Sequence, residues 1–141
     1  MCFIDKSISL ALKLFPSTYQ NAADWGRKVF HFTFVYKRNK LISIGYNNTQ
    51  KINNKSLKFA NRFGIEHWKE YPYVHSELDA ISRMWGRTYI DSSMKFVCLR
   101  LNKYGKFNNS KPCRNCTTVL NALNINKVYW SDSEGNIKFG I

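Results

Sequence analysis

The sequence predicts a three-layer α/β/α fold around one five-stranded mixed sheet, formed by a single domain over residues 1–141. The length supports one domain, because 141 residues can bury one sizeable core and are too few for two ordinary ones. The composition is that of a globular protein, with 44% hydrophobic and 16% aromatic residues. Helical and strand patterns alternate along the chain without a repeat or a low-complexity linker, which favours helices on both faces of one sheet.

The first part of the chain predicts one helix and one β-hairpin. Residues 7–14 carry apolar side chains at helical spacing after a serine cap, and Pro16 is expected to end or kink this helix. Residues 30–36 and 41–46 are rich in β-branched and aromatic side chains. The basic turn over residues 37–40 joins them, so the pair predicts an antiparallel hairpin.

The second part of the chain predicts two helices and three strands. Residues 75–86 have apolar side chains at helical spacing, with Gly86 as the expected C-terminal residue. A second helix is expected over residues 113–123 behind Pro112, because a proline at a helix start removes no needed hydrogen bond. The expected strands are residues 94–101, 126–130 and 137–141; between the two parts lie a polar stretch (47–55), a segment of helical character (56–63) and a connector (64–73).

The most specific feature of the chain is a motif in two halves. The first is His75-Ser76-Glu77 and the second is Pro112-Cys113-Arg114-Asn115-Cys116. Together they read H-x-E and P-C-x-x-C, the signature of zinc-dependent nucleobase deaminases. One histidine and two cysteines leave a tetrahedral zinc one open position for water, as in catalytic sites. The sequence therefore predicts Zn²⁺ as cofactor, His75, Cys113 and Cys116 as its ligands, and Glu77 as the catalytic acid and base.

Other interpretations of these residues stay open. A structural zinc site needs a fourth ligand, and the remaining candidates have no suitable spacing: His31, His67, Cys2 and Cys98. A redox dithiol would leave His75 and Glu77 without a role. A site without metal is a further alternative, as is a basic binding protein that keeps the zinc fold without catalysis. Glu77 argues against the latter, because a purely structural site has no use for a non-ligating acid.

The net charge of +13 predicts attraction to polyanions. An AT-rich coding genome would also enrich lysine and asparagine, so the charge alone does not name the partner. The candidate nucleic-acid-binding residues are Lys103, Lys106, Lys111 and Arg114 near the motif, with Lys51, Lys55, Lys58 and Arg62 in the long loop. The sequence has no signal-peptide pattern and no apolar run of membrane-spanning length, so we expect an intracellular, cytoplasmic protein without a membrane partner.

The chain resembles the cytidine deaminase superfamily over nearly its whole length. Residues 32–47 are similar to the family's first hairpin, 75–81 to its first zinc helix and 110–116 to its second. Residues 100–130 are most similar to small phage-encoded deaminases. The resemblance implies the cytidine deaminase-like fold, one zinc-dependent deaminase domain, and a protein that can be of viral origin inside a host cell. Ser76 departs from the family, which usually has alanine there.

The resemblance also implies substrate contacts. Asn47 matches the asparagine that contacts the sugar, although a turn residue ending a strand is the plainer interpretation. The carbonyl of Ser76 is the implied acceptor for the exocyclic amine. Tyr129 and Trp130 match the position where polynucleotide cytosine deaminases contact the base before the target, although both could be core aromatics.

Three substrate classes follow from these observations. The sequence favours conversion of cytosine to uracil in single-stranded DNA or RNA, because cations and aromatics surround the motif. The alternative is a small nucleotide or nucleoside such as dCMP or cytidine, since residues 42–49 are similar to those of deoxycytidylate deaminases. Adenine in RNA is the third, because C6 of adenine accepts the same attack as C4 of cytosine. The sequence does not predict an oligomeric state.

Overall fold

The computed structural model describes residues 2–25, 29–52, 62 and 73–141. The segment expected to be helical over residues 56–63 lies outside the described residues except for Arg62, as does the connector before Tyr73. The elements in chain order are α1 (Phe3–Trp25), β1 (Val29–Lys37), β2 (Lys40–Tyr46), β3 (Asn48–Ile52), β4 (Tyr73–Val74), α2 (Ser76–Met84), β5 (Lys95–Asn102), β6 (Phe107–Asn108), α3 (Arg114–Ala122), β7 (Lys127–Ser131) and β8 (Ile137–Phe139).

The main sheet is mixed, with the strand order β2-β1-β5-β7-β8. β1 runs antiparallel to β2 and β5, β5 and β7 are parallel, and β8 is antiparallel to β7. The parallel pair needs a crossover connection, which α3 supplies. This path of five strands confirms the predicted sheet. The structure adds the two-residue β6, which pairs with β5 at Arg100 and Leu101, and a separate pairing of β3 with β4.

The sheet has helices on both faces, which confirms the three-layer α/β/α prediction. Successive side chains of β1 point to opposite faces. Phe30, Phe32 and Phe34 are buried with Ala11 of α1 in one core cluster. Val35 of β1 is buried in the other cluster, together with the apolar side chains of α2 and α3. Both helices that begin at the motif therefore pack on the same face of the sheet.

The first helix is longer than predicted. The sequence predicts a helix over residues 7–14 that stops or kinks at Pro16, whereas α1 runs from Phe3 to Trp25. A proline inside a helix removes one backbone donor and crowds the preceding turn, but its fixed φ is compatible with the helix. Packing of the preceding turns offsets that cost, because Ala11 is fully buried against the sheet and Ser7 shares a 2.8 Å hydrogen bond with the Tyr36 hydroxyl. Among the described residues, no helix is long and apolar enough to cross a membrane.

The two helices of the motif are short and begin at motif residues. His75 is the N-cap of α2 and Cys113 is the N-cap of α3, and each helix has nine residues. α2 ends at Met84, slightly before the predicted end, and Gly86 follows with a φ of +80°, a conformation that glycine adopts without strain.

Candidate metal centre

The structure brings the three predicted zinc ligands together. The ligand atoms of His75, Cys113 and Cys116 all lie within 4.8 Å of one another. His75 and Cys113 cap their helices, and Cys116 lies three residues further along α3, on the same side of the helix as Cys113. The second zinc helix is anchored at its start, where the backbone N–H of Cys116 donates to Cys113 Sγ at 3.5 Å.

These residues fit a zinc ion. A zinc ion bound tetrahedrally at usual bond lengths would hold a histidine nitrogen and a cysteine sulfur about 3.6 Å apart. The observed separation of His75 Nδ1 and Cys113 Sγ is 3.5 Å. One imidazole and two thiols are also the ligand types that zinc selects. Cys116 is buried, His75 is half-buried and Cys113 is exposed, so the group lies at the protein surface with its inner side closed.

The thiols already share their protons unequally. A hydrogen bond from Cys116 lowers the pKa of the Cys113 thiol to about 4, with further help from His75 and from the backbone of Cys116. The same hydrogen bond, with burial and the nearby Glu77, raises the pKa of Cys116 well above its ordinary value. The hydrogen bond with Cys113 likewise raises the pKa of His75. Cys113 is therefore the thiolate of the pair, and metal binding must displace the proton of Cys116.

Glu77 lies beside the ligands without belonging to their group. It is only 1% exposed, in the first turn of α2. Its Oε2 accepts a hydrogen bond from Cys116 Sγ at 3.3 Å. Its Oε1 is buried and has no hydrogen-bond partner in the part of the chain that the structure describes. A buried carboxylate with one unsatisfied oxygen next to a three-ligand metal group has capacity left for a proton or a substrate atom.

A fifth residue, His31 of β1, faces Glu77. Its Nε2 lies 3.5 Å from Glu77 Oε1, and this nitrogen is also buried, with no hydrogen-bond partner within residues 2–25, 29–52, 62 and 73–141. Burial lowers the pKa of His31, and the charge of Glu77 opposes that effect. The sequence offers His31 only as a zinc-ligand candidate without suitable spacing and does not predict its place beside Glu77. The alternation of β1 carries the signal, because Phe30 and Phe32 face α1 and His31 must then face the motif helices.

Asn47, the predicted sugar contact, lies directly beside His31. Its Oδ1 accepts the backbone N–H of His31 at 2.9 Å, and its own N–H donates to the His31 carbonyl at 3.2 Å. These two bonds fix Asn47 at the end of β2 and tie it to the strand that carries His31. The structural role of Asn47 is therefore visible, and its contact with a sugar stays a prediction.

Ser76 is held inside the protein. It is fully buried, and its hydroxyl shares a 2.8 Å hydrogen bond with Thr33 Oγ1. As the first residue of α2, it directs its carbonyl along the helix toward Ala80. The carbonyl also lies against β2, since a Cβ built on Gly45 would stand 2.0 Å from it. The proposed contact of this carbonyl with an exocyclic amine stays a prediction.

The two predicted base contacts differ in position. Tyr129 packs between the rings of Phe3 and Phe139 on the α1 face, opposite to the face of the motif helices. Tyr129 and Trp130 point to opposite faces because they are neighbours on a strand, and the contact of either with a base stays a prediction. Trp130 packs on the motif face, and its Nε1 donates to the Gly140 carbonyl at 2.8 Å.

The predicted cations near the motif are exposed: Lys103, Lys106, Lys111 and Arg114. Two of them lie over aromatic rings. Lys111 Nζ is 5.5 Å from the ring centre of Trp130, and Lys103 Nζ is 5.1 Å from that of Tyr104, which is 75% exposed. Of the cations predicted in the long loop, Arg62 is the one whose side chain is described, and it stacks on Trp85 at 4.9 Å.

Comparisons with known proteins reveal a weak likeness to a solved structure. The chain matches no protein-family model and no curated protein sequence. Among solved structures it is similar to the dCMP deaminase from the cyanophage S-TIM5 in apo form, with 18% identity and a TM-score of 0.47. The match covers 73% of this chain and 66% of that chain, which is just under two thirds of the other protein. Identity and TM-score are both low, so the function of this chain has to be inferred from its own residues.

Proposed function

We propose that this protein is a zinc-dependent hydrolase that deaminates a nucleobase. The observation that carries the proposal is the position of Glu77, buried and non-ligating beside a group of one histidine and two cysteines. A structural zinc site would be complete with four protein ligands. Three ligands with an adjacent unsatisfied carboxylate are the arrangement that a hydrolytic site requires.

His75, Cys113 and Cys116 would hold the zinc ion. When bound, zinc would lower the pKa of a water molecule to about 7 and thereby supply a nucleophile at neutral pH. The thiolate character of Cys113 favours metal uptake, because thiolates and not thiols are the ligands.

Glu77 moves the protons of the reaction. Its carboxylate accepts a proton from the attacking water and delivers it to the ring nitrogen next to the reacting carbon, N3 of cytosine. It then passes the second proton of that water to the departing amine. Water and the amino group are thus converted into a ring carbonyl and ammonia, with no oxidant or reductant. Burial at 1% exposure keeps bulk water from competing for these protons.

For the substrate we infer cytosine in a single-stranded polynucleotide. The support is the pairing of cations with aromatic rings at Lys111–Trp130 and Lys103–Tyr104. A nucleic-acid strand has several phosphates for such cations to contact and several bases to stack on such rings. A free nucleotide has one base and needs one phosphate contact, so it would leave the second pair unused. Lys111 lies two residues before Cys113, so this pair adjoins the metal centre along the chain. Free pyrimidine nucleotides and adenine in RNA are the outcomes that would replace this inference.

The test of the activity compares the parent protein with Glu77→Gln. We expect about one zinc ion per chain in both proteins by elemental analysis, since the ligands are unchanged. We expect base conversion, read by mass spectrometry, to fall at least a hundredfold in the variant, because it cannot accept a proton. Glu134→Gln, the same change at an exposed turn residue, is the matched control. Undiminished zinc in a Cys113→Ser, Cys116→Ser double variant would refute the metal assignment.

The test of the substrate class uses one panel: single-stranded DNA, single-stranded RNA, dCMP, cytidine and adenosine-containing RNA. We expect cytosine in an oligonucleotide to react fastest and its rate to fall steeply with added salt. Lys103→Glu with Lys106→Glu should weaken oligonucleotide binding at unchanged zinc content. The matched control is Lys6→Glu with Lys127→Glu, which changes the net charge by the same amount at exposed positions on α1 and at the start of β7. Faster turnover of dCMP than of any oligonucleotide would make this a nucleotide-metabolising enzyme.

A further inference from the structure

His31 and Glu77 present two buried polar atoms to each other. The separation of 3.5 Å between Nε2 and Oε1 is slightly longer than a hydrogen bond from an imidazole to a carboxylate. Neither atom has another partner among the described residues. Buried polar atoms are nearly always satisfied, so two unsatisfied atoms facing each other indicate a contact that closes in the working state of the site.

The surroundings of His31 hold the ring in this position. Its backbone is fixed to Asn47 by two hydrogen bonds, through the Asn47 side chain and the Asn47 main chain. The strand β1 pairs on both sides, with Tyr46 of β2 opposite Phe32 and with Arg100 of β5 opposite His31. One fifth of the His31 side chain is exposed, while Nε2 points inward to Glu77. The ring therefore approaches Glu77 from the sheet, whereas the metal ligands approach it from the helices.

Metal binding would change the contacts of Glu77. Without a metal, Glu77 Oε2 lies 3.3 Å from Cys116 Sγ and shares the single thiol proton of Cys116 with Cys113. A cysteine that ligates zinc has lost this proton, so the hydrogen bond from Cys116 is then absent. Among the described residues, His31 is the remaining side chain placed to donate to the carboxylate.

We propose that His31 is a positioning residue for Glu77, donating its Nε2 proton to Glu77 Oε1 and so orienting the carboxylate in the metal-loaded protein. This inference rests on the proposed function, since it assigns a partner to the proposed proton carrier. In this proposal His31 is not a zinc ligand. The donation requires the proton on Nε2; burial lowers the pKa of His31, while the charge of Glu77 and a hydrogen bond to the Ser110 backbone raise it, and only the doubly protonated ring could donate to both partners at once.

The first readout is the ring of His31 itself. The chain contains three histidines, so ¹⁵N-histidine labelling gives a small set of ring signals, and the loss of one set in His31→Gln assigns His31. In the zinc-loaded parent we expect Nε2 of His31 to carry the proton. We expect its ¹⁵N shift to change in Glu77→Gln, where the charged acceptor is gone. A deprotonated Nε2, or a shift that ignores the substitution, would overturn the proposal.

The second readout is the split between kcat and KM. His31→Leu removes the donor at similar volume, and His31→Gln keeps an N–H donor of comparable reach. We expect kcat to fall about tenfold in His31→Leu, the usual effect of losing one hydrogen bond to a charged group, with KM within about twofold and zinc content unchanged. His31→Gln should recover kcat to within about threefold of the parent. Equal loss in both variants would indicate packing alone and contradict the positioning role.

The two proposals fail in different ways. An inactive parent on every substrate would refute the proposed deamination, and the ring signals would still decide whether His31 donates to Glu77. An active parent that loses activity in Glu77→Gln but not in His31→Leu would keep the deaminase and refute the role of His31. If His31→Leu does not fold, the comparison of the parent with Glu77→Gln and His31→Gln decides the question.

Discussion

Replacing Gly45 by alanine should separate β2 from α2 and destabilise the whole motif face. Gly45 has an ordinary backbone conformation, so the reason for glycine is space and not φ. A Cβ at this position would lie 2.0 Å from the Ser76 carbonyl oxygen, 2.6 Å from the Ala80 nitrogen and 2.8 Å from the Ala80 Cβ. Two of these are backbone atoms of a helix, so the strand or the helix must move by about 1 Å to restore ordinary contacts.

The free energy of that movement can be estimated from the contacts that it strains. Overpacking of a buried site costs about 1–3 kcal/mol. Two hydrogen bonds join β2 to α2 on either side of Gly45: Ser43 Oγ to the Ala80 carbonyl at 2.9 Å, and the Tyr46 N–H to Asp79 Oδ2 at 2.9 Å. Weakening both adds about 1–3 kcal/mol, since one acceptor is charged. We expect Gly45→Ala to lose about 2–6 kcal/mol of unfolding free energy, a large part of the total for a domain of this size.

Urea unfolding followed by tryptophan fluorescence measures this loss, and Gly86→Ala is the matched control. Gly86 follows the other end of α2, with a φ of +80°, and no atom of the described residues would lie within 4 Å of an added Cβ. Alanine there costs only the backbone strain of a left-handed conformation, about 1–2 kcal/mol. The steric argument is refuted if Gly45→Ala loses no more stability than Gly86→Ala at equal m-values.

Three further predictions concern the rest of the fold. Ser110→Ala should lower the unfolding free energy by about 2 kcal/mol and speed the release of bound zinc to a chelator. The reason is that Ser110 Oγ forms hydrogen bonds with the main chain of β5 and of β7 just before α3. An unchanged rate of zinc release would contradict this prediction. Phe34→Ala should lose about 3–5 kcal/mol in urea unfolding, since Phe34 is fully buried against α1, and a loss near that of a surface substitution would show that the core is loosely packed. Hydrogen bonds from Ser93, then Lys37, lower the pKa of Asp91 from 3.8 to about 2. The charged Asp91 therefore stabilises the fold fully above pH 3.8, and this stabilisation is lost as the pH falls through about 2. The difference in unfolding free energy between the parent and Asp91→Asn should shrink over that range, and a difference that grows on acidification would contradict the prediction.

The sequence predicts the helices that begin at the motif well, because the residues within each half of the motif are close together in the chain. His75 and Cys113 each stand at a helix start, and Pro112 marks the boundary of the second helix. The meeting of the two helix starts needs tertiary structure, and the signature substitutes for that knowledge because zinc-dependent deaminases bring these two halves together at one metal. The prediction of the ligand group therefore came from the pattern, and the distances came from the fold.

The remaining differences have tertiary causes. The extension of α1 past Pro16 depends on packing against the sheet, which no local propensity contains. β6 has two residues and no periodicity to detect. The sequence could have placed the side chains of His31 and Tyr129, because alternation along a strand puts each of them on one face of the sheet. Recognising that His31 faces the motif helices requires knowing which face of β1 those helices cover.

The metal centre also has a consequence for how the molecule is assembled. α2 and α3 are nine residues each, too short to persist alone in water, and their starts are brought together from positions 38 residues apart in the chain. An ion held at both starts would act as a cross-link whose strength follows the free zinc concentration, by mass action. The supply of zinc in the cell would then set how much of this chain stays folded and escapes proteolysis, before any substrate is met.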